Sequence, residues 1–261
     1  MLPISADADE AVRAIADQGY AVVRTGIPAD EISSLKSALV EAIASEDDWH
    51  GTSERPDHAM VLVCPLYSPR FCEVLANDMI WEVTGRVLGA GAIVYAYTSS
   101  SMPPNRDNYS HRVHNDCPRS LGLPATNLGL TLPLDEFTED NGATYLLPKS
   151  HRQPDAPSEA AFYGNALRFV AMPGTALLFD ARLWHAGGTN NTDHWRHAIT
   201  VNFCRSWMKQ RLDLPRMLGA GYRSIVSVRA AQRLGYDCQT PASYFEYYQP
   251  AHRRPYSQPA E

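Results

Sequence analysis

The segment NLGLTLPL, residues 127–134, decides the fold. Successive side chains of a strand point to opposite faces, so Asn127, Gly129 and Thr131 share one face while four leucines share the other. The leucine face requires a hydrophobic layer to cover it. The small, polar face is the unusual one, and it favours an interior that holds a ligand.

Two further segments alternate in the same way and are predicted strands. In WRHAITVNFC, residues 195–204, small or polar side chains share one face, and His197 shares the other with bulky apolar ones. The small or polar set is Arg196, Ala198, Thr200, Asn202 and Cys204. In AIVYAYTSS, residues 92–100, the residues on one side are Tyr95, Tyr97 and Ser99.

Before about position 90 the apolar residues follow a helical period. Helices are predicted over 6–18 and 28–44, with the short strand YAVVRT between them, and one or two more over 68–89. The polar segment 45–58 lacks any period and is predicted to be a mobile loop, with use as a lid left open.

Helices early and strands late predict a mainly β protein with flanking helices. The bulky strand faces would lie under the helices, and the polar faces would point into a barrel or sandwich interior; a sheet with one wet face is the alternative. We expect one domain over 1–261, with helical support in 1–90, the β core in 91–207 and a helical cover in 208–261. The aromatic tail YFEYYQPAHRRPY is expected to fold back as part of that cover.

Composition narrows the class of partner. A net charge of -6 argues against a nucleic-acid surface, so a small-molecule partner is favoured. The five cysteines are odd in number and lack paired C-x-x-C spacing, which fits reduced thiols in the cytoplasm. No targeting signal or apolar run of membrane-spanning length is recognised, and the oligomeric state is left open.

Residues 111–119, HRVHNDCPR, contain candidate metal ligands. In an extended chain His114 and Asp116 project from the same face, whereas His111 falls on the other. The H-x-D pattern alone is weak. A non-haem iron(II) centre needs two imidazoles and one carboxylate on one face of the metal, so a third ligand is required.

Four histidines are candidates for that third ligand. His151 lies in a turn, where a capping or bracing role is favoured; His194 lies in a polar loop; and His197 faces away from the polar side of its strand. The remaining candidate is His185, which follows the apolar run TALLFD and can be delivered to the interior by a strand end.

One arginine after His185 is a candidate for binding a carboxylate. Arg196 lies eleven positions later, on the polar face of the next strand. Its planar guanidinium can bind a carboxylate through two hydrogen bonds, although a surface ion pair is the alternative.

These residues together resemble the phytanoyl-CoA dioxygenase family of iron- and 2-oxoglutarate-dependent oxygenases. The resemblance rests on the H-x-D pair, His185 and Arg196, on NGATYLLPKSH (141–151) and on WHAGGTNNTDHWRHAITVNFC (184–204). It covers roughly 95–207. Lys149 departs from the pattern, since that place is often given to glycine.

The resemblance implies a double-stranded β-helix, or jelly roll, with iron inside one mouth. It implies that His114, Asp116 and His185 bind Fe(II), and that 2-oxoglutarate chelates the metal while its distal carboxylate meets Arg196. Polar-face residues are expected to complete the co-substrate pocket: Thr131 or Asn127 as a partner of a further oxygen, and Tyr97 and Ser99 as lining.

The implied reaction uses O2 and releases succinate and CO2 while oxidising a small metabolite or natural-product intermediate. Hydroxylation is the default outcome, and desaturation, epimerisation and ring closure stay open. Because Asp116 supplies a carboxylate, a halogenase is disfavoured. Two other hypotheses are kept: a zinc-dependent hydrolase or isomerase, which would leave Arg196 without a role, and a catalytically silent binding module.

Substrate contacts are weakly indicated. The basic residues around the H-x-D pair can attract an anion or form a solvated edge; they are Arg106, His111, Arg112 and Arg119. Aromatic residues can pack on an apolar substrate, although ordinary packing is the alternative; they are Trp184, Tyr109, Tyr244, Phe245, Tyr247 and Tyr248.

Overall fold

The computed structural model describes residues 2–50, 59–117, 124–153 and 155–254. Its helices flank a β core as predicted. They are α1 (Ala8–Gln18), α2 (Ala29–His50), α3 (Arg70–Ala76), α4 (Asp78–Leu88), α5 (Glu159–Asn165), α6 (Leu214–Leu218), α7 (Val228–Leu234) and α8 (Tyr244–Tyr247).

The strands form two sheets. They are β1 (Ile4–Ser5), β2 (Tyr20–Arg24), β3 (Ile93–Met102), β4 (Asn127–Pro133), β5 (Tyr145–Leu146), β6 (Leu167–Arg168), β7 (Thr175–Asp180), β8 (His185–Ala186) and β9 (Arg196–Cys204). The large sheet has the order β1-β2-β7-β4-β9-β3, and the small sheet has the order β6-β5-β8. All pairs are antiparallel except β1 with β2.

The leucine face of β4 lies under the helices, as its alternation predicts. Leu128, Leu130 and Leu132 are buried in one cluster with Leu35 and Leu39 of α2. Full burial of each leucine contributes about 1.5–3 kcal/mol. This cluster fixes which face of β4 turns inward, and therefore where Thr131 points.

The other face of the large sheet packs against the small sheet. Leu177 and Phe179 of β7 share a second buried cluster with Leu146 of β5 and with Phe169. Two sheets that enclose an interior in this way make the predicted double-stranded β-helix.

Two predictions about the flanking segments are wrong. Residues 45–50 of the predicted loop continue α2, because adding residues to a helix that has already formed needs no new nucleation; residues 51–58 lie outside the described residues. The tail aromatics were expected to pack as a cover, but they are exposed. These side chains are Tyr244, Phe245, Tyr247 and Tyr248.

All five cysteines are free, as their spacing predicts. Across the described ranges, no helix combines the length and the apolar character that crossing a bilayer requires.

Gly129 permits β4 to approach the aromatic ring of Phe179. A Cβ at position 129 would lie 2.6 Å from Phe179 Cε1, closer than any real Cβ contact. We expect Gly129→Ala to lower the free energy of unfolding by about 1–3 kcal/mol, because the buried ring must move. Urea denaturation measures the change.

Gly164→Ala is the matched control, since a Cβ there meets nothing within 4 Å. It lies within α5, where alanine is favoured over glycine, so its stability should be unchanged or slightly higher. Equal losses in the two variants would contradict the packing argument.

Candidate active site

A cavity of about 480 Å³ opens inside the β core. It lies against the polar faces of β3, β4 and β9 and is closed on one side by the segment before Asp116. Its charged and imidazole-bearing lining residues are Arg112, His114, Asp116, His185, Arg196 and Arg211. The alternation of β4 and β9 therefore predicted correctly that their polar side encloses a space.

Two of these residues are joined through their backbones. His114 N donates to His185 O at 2.9 Å, and His185 N donates to His114 O at 2.8 Å. This antiparallel bridge places the two imidazoles side by side, with ring centroids 4.3 Å apart. Residues 71 positions apart in sequence thus share one short ladder, which sequence spacing alone does not reveal.

Both imidazoles are held in the same tautomer. His114 Nδ1 lies 2.8 Å from Arg112 O, and His185 Nδ1 lies 2.9 Å from Leu183 O. Because a carbonyl only accepts, each Nδ1 carries a proton that it donates there, and Nε2 is the ring nitrogen that remains for a metal. The two Nε2 atoms face Asp116, at 3.6 Å from Oδ1 for His114 and 3.8 Å from Oδ2 for His185.

The three donor atoms form a group that fits a metal ion. One ligand atom from each of His114, Asp116 and His185 lies within 4.8 Å of the others. Burial and the neighbouring His185 lower the pKa of His114 to about 4, against the opposing effect of Asp116. The imidazole is therefore neutral near pH 7, as a metal ligand must be.

A tight turn at residues 180–183 positions two of the three residues. Ala181 O accepts the backbone N–H of Asp116 at 2.8 Å, and Leu183 O orients His185 as described above. The turn is braced internally, because the Asp180 carboxylate accepts from Arg182 N at 3.0 Å, Nε at 2.9 Å and Nη2 at 2.6 Å. The Asp180–Arg182 pair thus acts on the site through backbone carbonyls.

Phe179 supports His185 from the side. Their rings meet edge to face with centroids 5.0 Å apart. Phe179 also lines the cavity, so its ring limits the space beside the imidazole. The absence of a side chain at Gly129 is what allows this ring position.

Arg196 is buried without an acidic partner. It is 3% exposed, and its Nε has no hydrogen-bond partner. Its guanidinium lies over the Phe137 ring, 4.1 Å from the centroid. Burial lowers the pKa of Arg196 to about 10, although Asp135 opposes this. The surface ion pair that the sequence left open is absent from the described ranges, and the orphaned cation suits a carboxylate ligand.

Thr131 and Asn127, the two residues expected as partners of a co-substrate oxygen, differ in position. Thr131 lines the cavity, on the same sheet face as Arg196. Asn127 lies behind the lining, where its Nδ2 donates to Asn202 Oδ1 at 2.9 Å, and Asn202 is the residue that reaches the cavity.

The placement of Tyr97 in the pocket is wrong. Tyr97 is 1% exposed, packs in the helix-facing cluster and donates its hydroxyl to Phe71 O at 2.6 Å. Ser99 also faces that side and binds the backbone of Val61. The alternation was correct but the inward face was reversed, since a register shift between Val94 and Ala96 turns Tyr95 alone toward the cavity.

Several residues that line the cavity were not predicted from the sequence. Thr98 and Thr200 join hydroxyls across β3 and β9 at 2.6 Å, and Arg211 enters from beyond β9. The alternation of β9 gave a signal for Thr200, which shares a face with Arg196. Nothing in the sequence pattern indicated Arg211.

Other candidate residues lie elsewhere. His151 is buried beneath α1, with Nε2 3.3 Å from Ala16 O, which is the bracing role expected of it. Trp184 packs with Leu147 and Ala186 rather than on the cavity. Of the basic residues near the H-x-D pair, Arg112 lines the cavity. Arg119 lies outside the described residues.

Comparison with known proteins places these observations in a family. The family model for phytanoyl-CoA dioxygenase matches residues 15–198, which is more than half of the chain. The chain belongs to the phytanoyl-CoA dioxygenase family. It is thus an enzyme that uses Fe(II), 2-oxoglutarate and O2, as the sequence resemblance implied.

Relatives match this family member over its length. Uncharacterized proteins of Mycobacterium bovis and Mycobacterium tuberculosis are each 28% identical over 268 residues, covering 98% of this chain and 98% of the relative.

Solved structures share its fold. AviO1 from Streptomyces viridochromogenes matches with a TM-score of 0.64 and 20% identity, covering 79% of this chain and 99% of that one. EctD from S. alaskensis, solved with 2-oxoglutarate and 5-hydroxyectoine, matches with a TM-score of 0.61 and 22% identity, covering 78% and 77%. These likenesses support the jelly-roll fold.

One departure from the family pattern has a conformational reason. Lys149 has a φ of 65°, in the left-handed region that favours glycine. Its backbone N–H donates to Gln18 O at 2.7 Å, which ties the turn to the end of α1. The turn therefore keeps the conformation that glycine would adopt there.

His197, which faces away from the cavity, should contribute to the loss of stability of this family member at acid pH. Burial lowers the pKa of His197 to about 4, against the effect of Asp135, and its Nδ1 lies 2.9 Å from Ser101 Oγ. The unfolded chain binds this proton below about pH 6.5, so stability is lost as pH falls from 6.5 toward 4. His197→Gln should flatten this loss by roughly 2 kcal/mol, measured by urea denaturation at several pH values.

His194→Gln is the matched control, because the His194 side chain is 85% exposed. It should leave the pH dependence of the free energy of unfolding unchanged. A His197→Gln curve that overlays the parent curve would contradict the assignment.

Proposed function

We propose that this enzyme hydroxylates a small-molecule substrate, with His114, Asp116 and His185 holding Fe(II) and Arg196 binding the distal carboxylate of 2-oxoglutarate. One observation carries the proposal. Three donor atoms of the required types converge in the cavity that a buried, unpaired guanidinium also lines.

The donor set suits iron with open coordination positions. Two imidazoles and one carboxylate meet on one side, which leaves the cavity side for other ligands. When bound, iron and 2-oxoglutarate supply oxygen activation with release of succinate and CO2, and thereby oxidation of a substrate C–H bond.

The chain's own residues select and orient what enters. Arg196 sits at the start of β9 with its cation over Phe137, so a carboxylate that reaches it is bound in a dry site by charge-assisted hydrogen bonds. Thr131, on neighbouring β4, presents a hydroxyl to the same region and is proposed to bind a further co-substrate oxygen. Phe179 limits water beside His185.

Two alternatives are less well supported. A zinc hydrolase or isomerase gives Arg196 no function, although burying it unpaired costs stability. A silent binding module has no chemical need for all three donors.

The carboxylate of Asp116 also disfavours halogenation, because it fills the position that a halide would take. Hydroxylation remains the default outcome, and substrate geometry decides between it and desaturation, epimerisation or ring closure.

The ligand assignment is tested by anaerobic addition of Fe(II) and 2-oxoglutarate while the visible charge-transfer band is recorded. The parent enzyme should develop the band, and Asp116→Ala should not, because one of three ligands is missing. Asp193→Ala is the control, since that carboxylate is 82% exposed on a loop and should leave the band intact. A band that survives Asp116→Ala means the assignment is wrong, and a parent enzyme without a band favours the zinc alternative.

Arg196→Met should weaken the binding of 2-oxoglutarate and at the same time stabilise the protein. Methionine replaces a buried unpaired cation by an apolar chain, so without co-substrate the free energy of unfolding should rise by about 1 kcal/mol or more. The dissociation constant of 2-oxoglutarate should rise at least about 30-fold while Fe(II) still binds. Denaturation and titration of the charge-transfer band measure the two effects.

Arg205→Met is the contrasting variant. Its guanidinium donates to Ala125 O at 2.9 Å and Leu88 O at 3.1 Å, so its removal should destabilise the protein without weakening 2-oxoglutarate. Weaker 2-oxoglutarate binding in Arg205→Met, or its retention in Arg196→Met, would oppose the proposed role.

Weakening the turn at residues 180–183 should lower the affinity for Fe(II), although Asp180 is not one of the proposed metal ligands. Asp180→Asn keeps the side-chain shape but removes the charge that braces Arg182, so the turn loosens and the Fe(II) dissociation constant should rise about tenfold or more. Competition with a chelator measures it. Asp78→Asn breaks an exposed ion pair with Arg229 and should change nothing; equal iron affinity in both variants would show that the turn does not position the ligands.

A further inference from the structure

The cavity carries more positive charge than iron and 2-oxoglutarate require. Arg112, Arg196 and Arg211 line it, whereas Asp116 is the one carboxylate among the described lining residues. If the proposed function holds, the formal charges of Fe(II), a 2-oxoglutarate dianion, Asp116 and Arg196 cancel. The guanidinium groups of Arg112 and Arg211 are then left uncompensated.

Arg112 is fixed close to the metal ligands. Its carbonyl lies 2.8 Å from His114 Nδ1, so its backbone cannot move without disturbing that imidazole. Its side chain is exposed at the cavity, and no acidic residue of the described ranges forms an ion pair with it. The cation therefore stands beside the site without a partner.

Arg211 reaches the cavity from the segment that follows β9. Its backbone N–H donates to Tyr95 O at 3.0 Å, at the register shift in β3. The preceding Gln210 donates from Nε2 to Val94 O at 2.7 Å and to Leu234 O at 3.0 Å. This anchoring holds Arg211 over the cavity, again without an ion pair in the described part of the chain.

The surfaces beside these two arginines are mixed. Met60, Tyr95 and Tyr109 provide apolar area, and Thr98 and Thr200 add hydroxyl groups. A ligand that satisfies this lining has one anionic group, held by the guanidiniums, and a compact body that extends past the aromatic side chains toward the metal ligands.

We propose that Arg112 and Arg211 form a substrate subsite that binds an anionic group, a carboxylate or a phosphate. This subsite is separate from Arg196, which the co-substrate occupies. Planar guanidiniums favour these oxyanions over chloride or neutral polar groups, because they donate two parallel hydrogen bonds. The enzyme is thus inferred to act on an acidic small molecule.

The test compares anions with neutral molecules of the same carbon chain. The probes are hexanoate against hexanamide and hexyl phosphate against hexan-1-ol, each radiolabelled. Binding to the anaerobic enzyme, saturated with Fe(II) and 2-oxoglutarate, is measured by equilibrium dialysis. At least one anion should bind about tenfold or more tightly than its neutral partner, and the arm that shows the larger preference identifies carboxylate or phosphate.

Substitution of each arginine tests whether these two residues cause the preference for anions. Arg112→Gln and Arg211→Gln should each reduce the anion preference several-fold and leave the neutral probes unchanged. Arg106→Gln is the control, because Arg106 is a nearby exposed arginine that does not line the cavity, and it should keep the full preference.

Two results would overturn the subsite: no anion preference in either arm, including no binding of any probe, or a preference that persists in both variants. The charge-transfer band is recorded on the same samples. A band without anion preference defeats the subsite alone, whereas anion preference without a band defeats the proposed function alone.

Discussion

The antiparallel bridge between His114 and His185 is the constraint on which the site depends. It joins the irregular segment before Asp116 to the short strand β8, and it brings two imidazoles from distant parts of the chain to a centroid distance of 4.3 Å. The turn at 180–183 then holds Asp116 through a backbone carbonyl and His185 through another. Most of the bonds that position the three donors are therefore made by backbone, and the side chains are left with free lone pairs.

Electrostatics is the second theme of the structure. The core buries the guanidinium of Arg196 over an aromatic ring and gives it no acidic partner. Such a group opposes folding, so its presence is best understood through a ligand that arrives later. Arg233 is also buried and its Nε likewise lacks a partner, but its Nη atoms donate to Ala92 O at 2.6 Å and to Trp81 O at 3.1 Å, which ties α7 to α4 and to the residue before β3. Arg233 therefore contributes hydrogen bonds to the fold, whereas the guanidinium of Arg196 makes none within the described ranges.

The sequence predicted the fold well because its signals are periodic. The alternation of 127–134 and 195–204 identified two central strands and the polar faces of both, and the helical period located α1, the start of α2 and the span of α3 and α4 within about two residues. The error at Tyr97 has a clear origin. Period two says which residues share a face but not which face turns inward, and the irregular pairing at Tyr95 removes the remaining clue.

The site was predictable in part for a similar reason. Spacing placed His114 beside Asp116, and motif resemblance supplied His185 and Arg196. The backbone bridge, the Asp180–Arg182 brace and the entry of Arg211 depend on how loops return to the sheet, which local patterns do not encode. The end of α2 was misjudged because a polar, aperiodic stretch can still continue a helix that has begun.

The most direct test of the central claim is the crystal structure of the anaerobic complex with Fe(II) and 2-oxoglutarate, with the metal located by anomalous scattering at the iron edge. We expect one iron bound by His114 Nε2, a carboxylate oxygen of Asp116 and His185 Nε2, with the distal carboxylate of 2-oxoglutarate on the guanidinium of Arg196. Iron bound by other residues, or a 2-oxoglutarate whose distal carboxylate avoids Arg196, would contradict it.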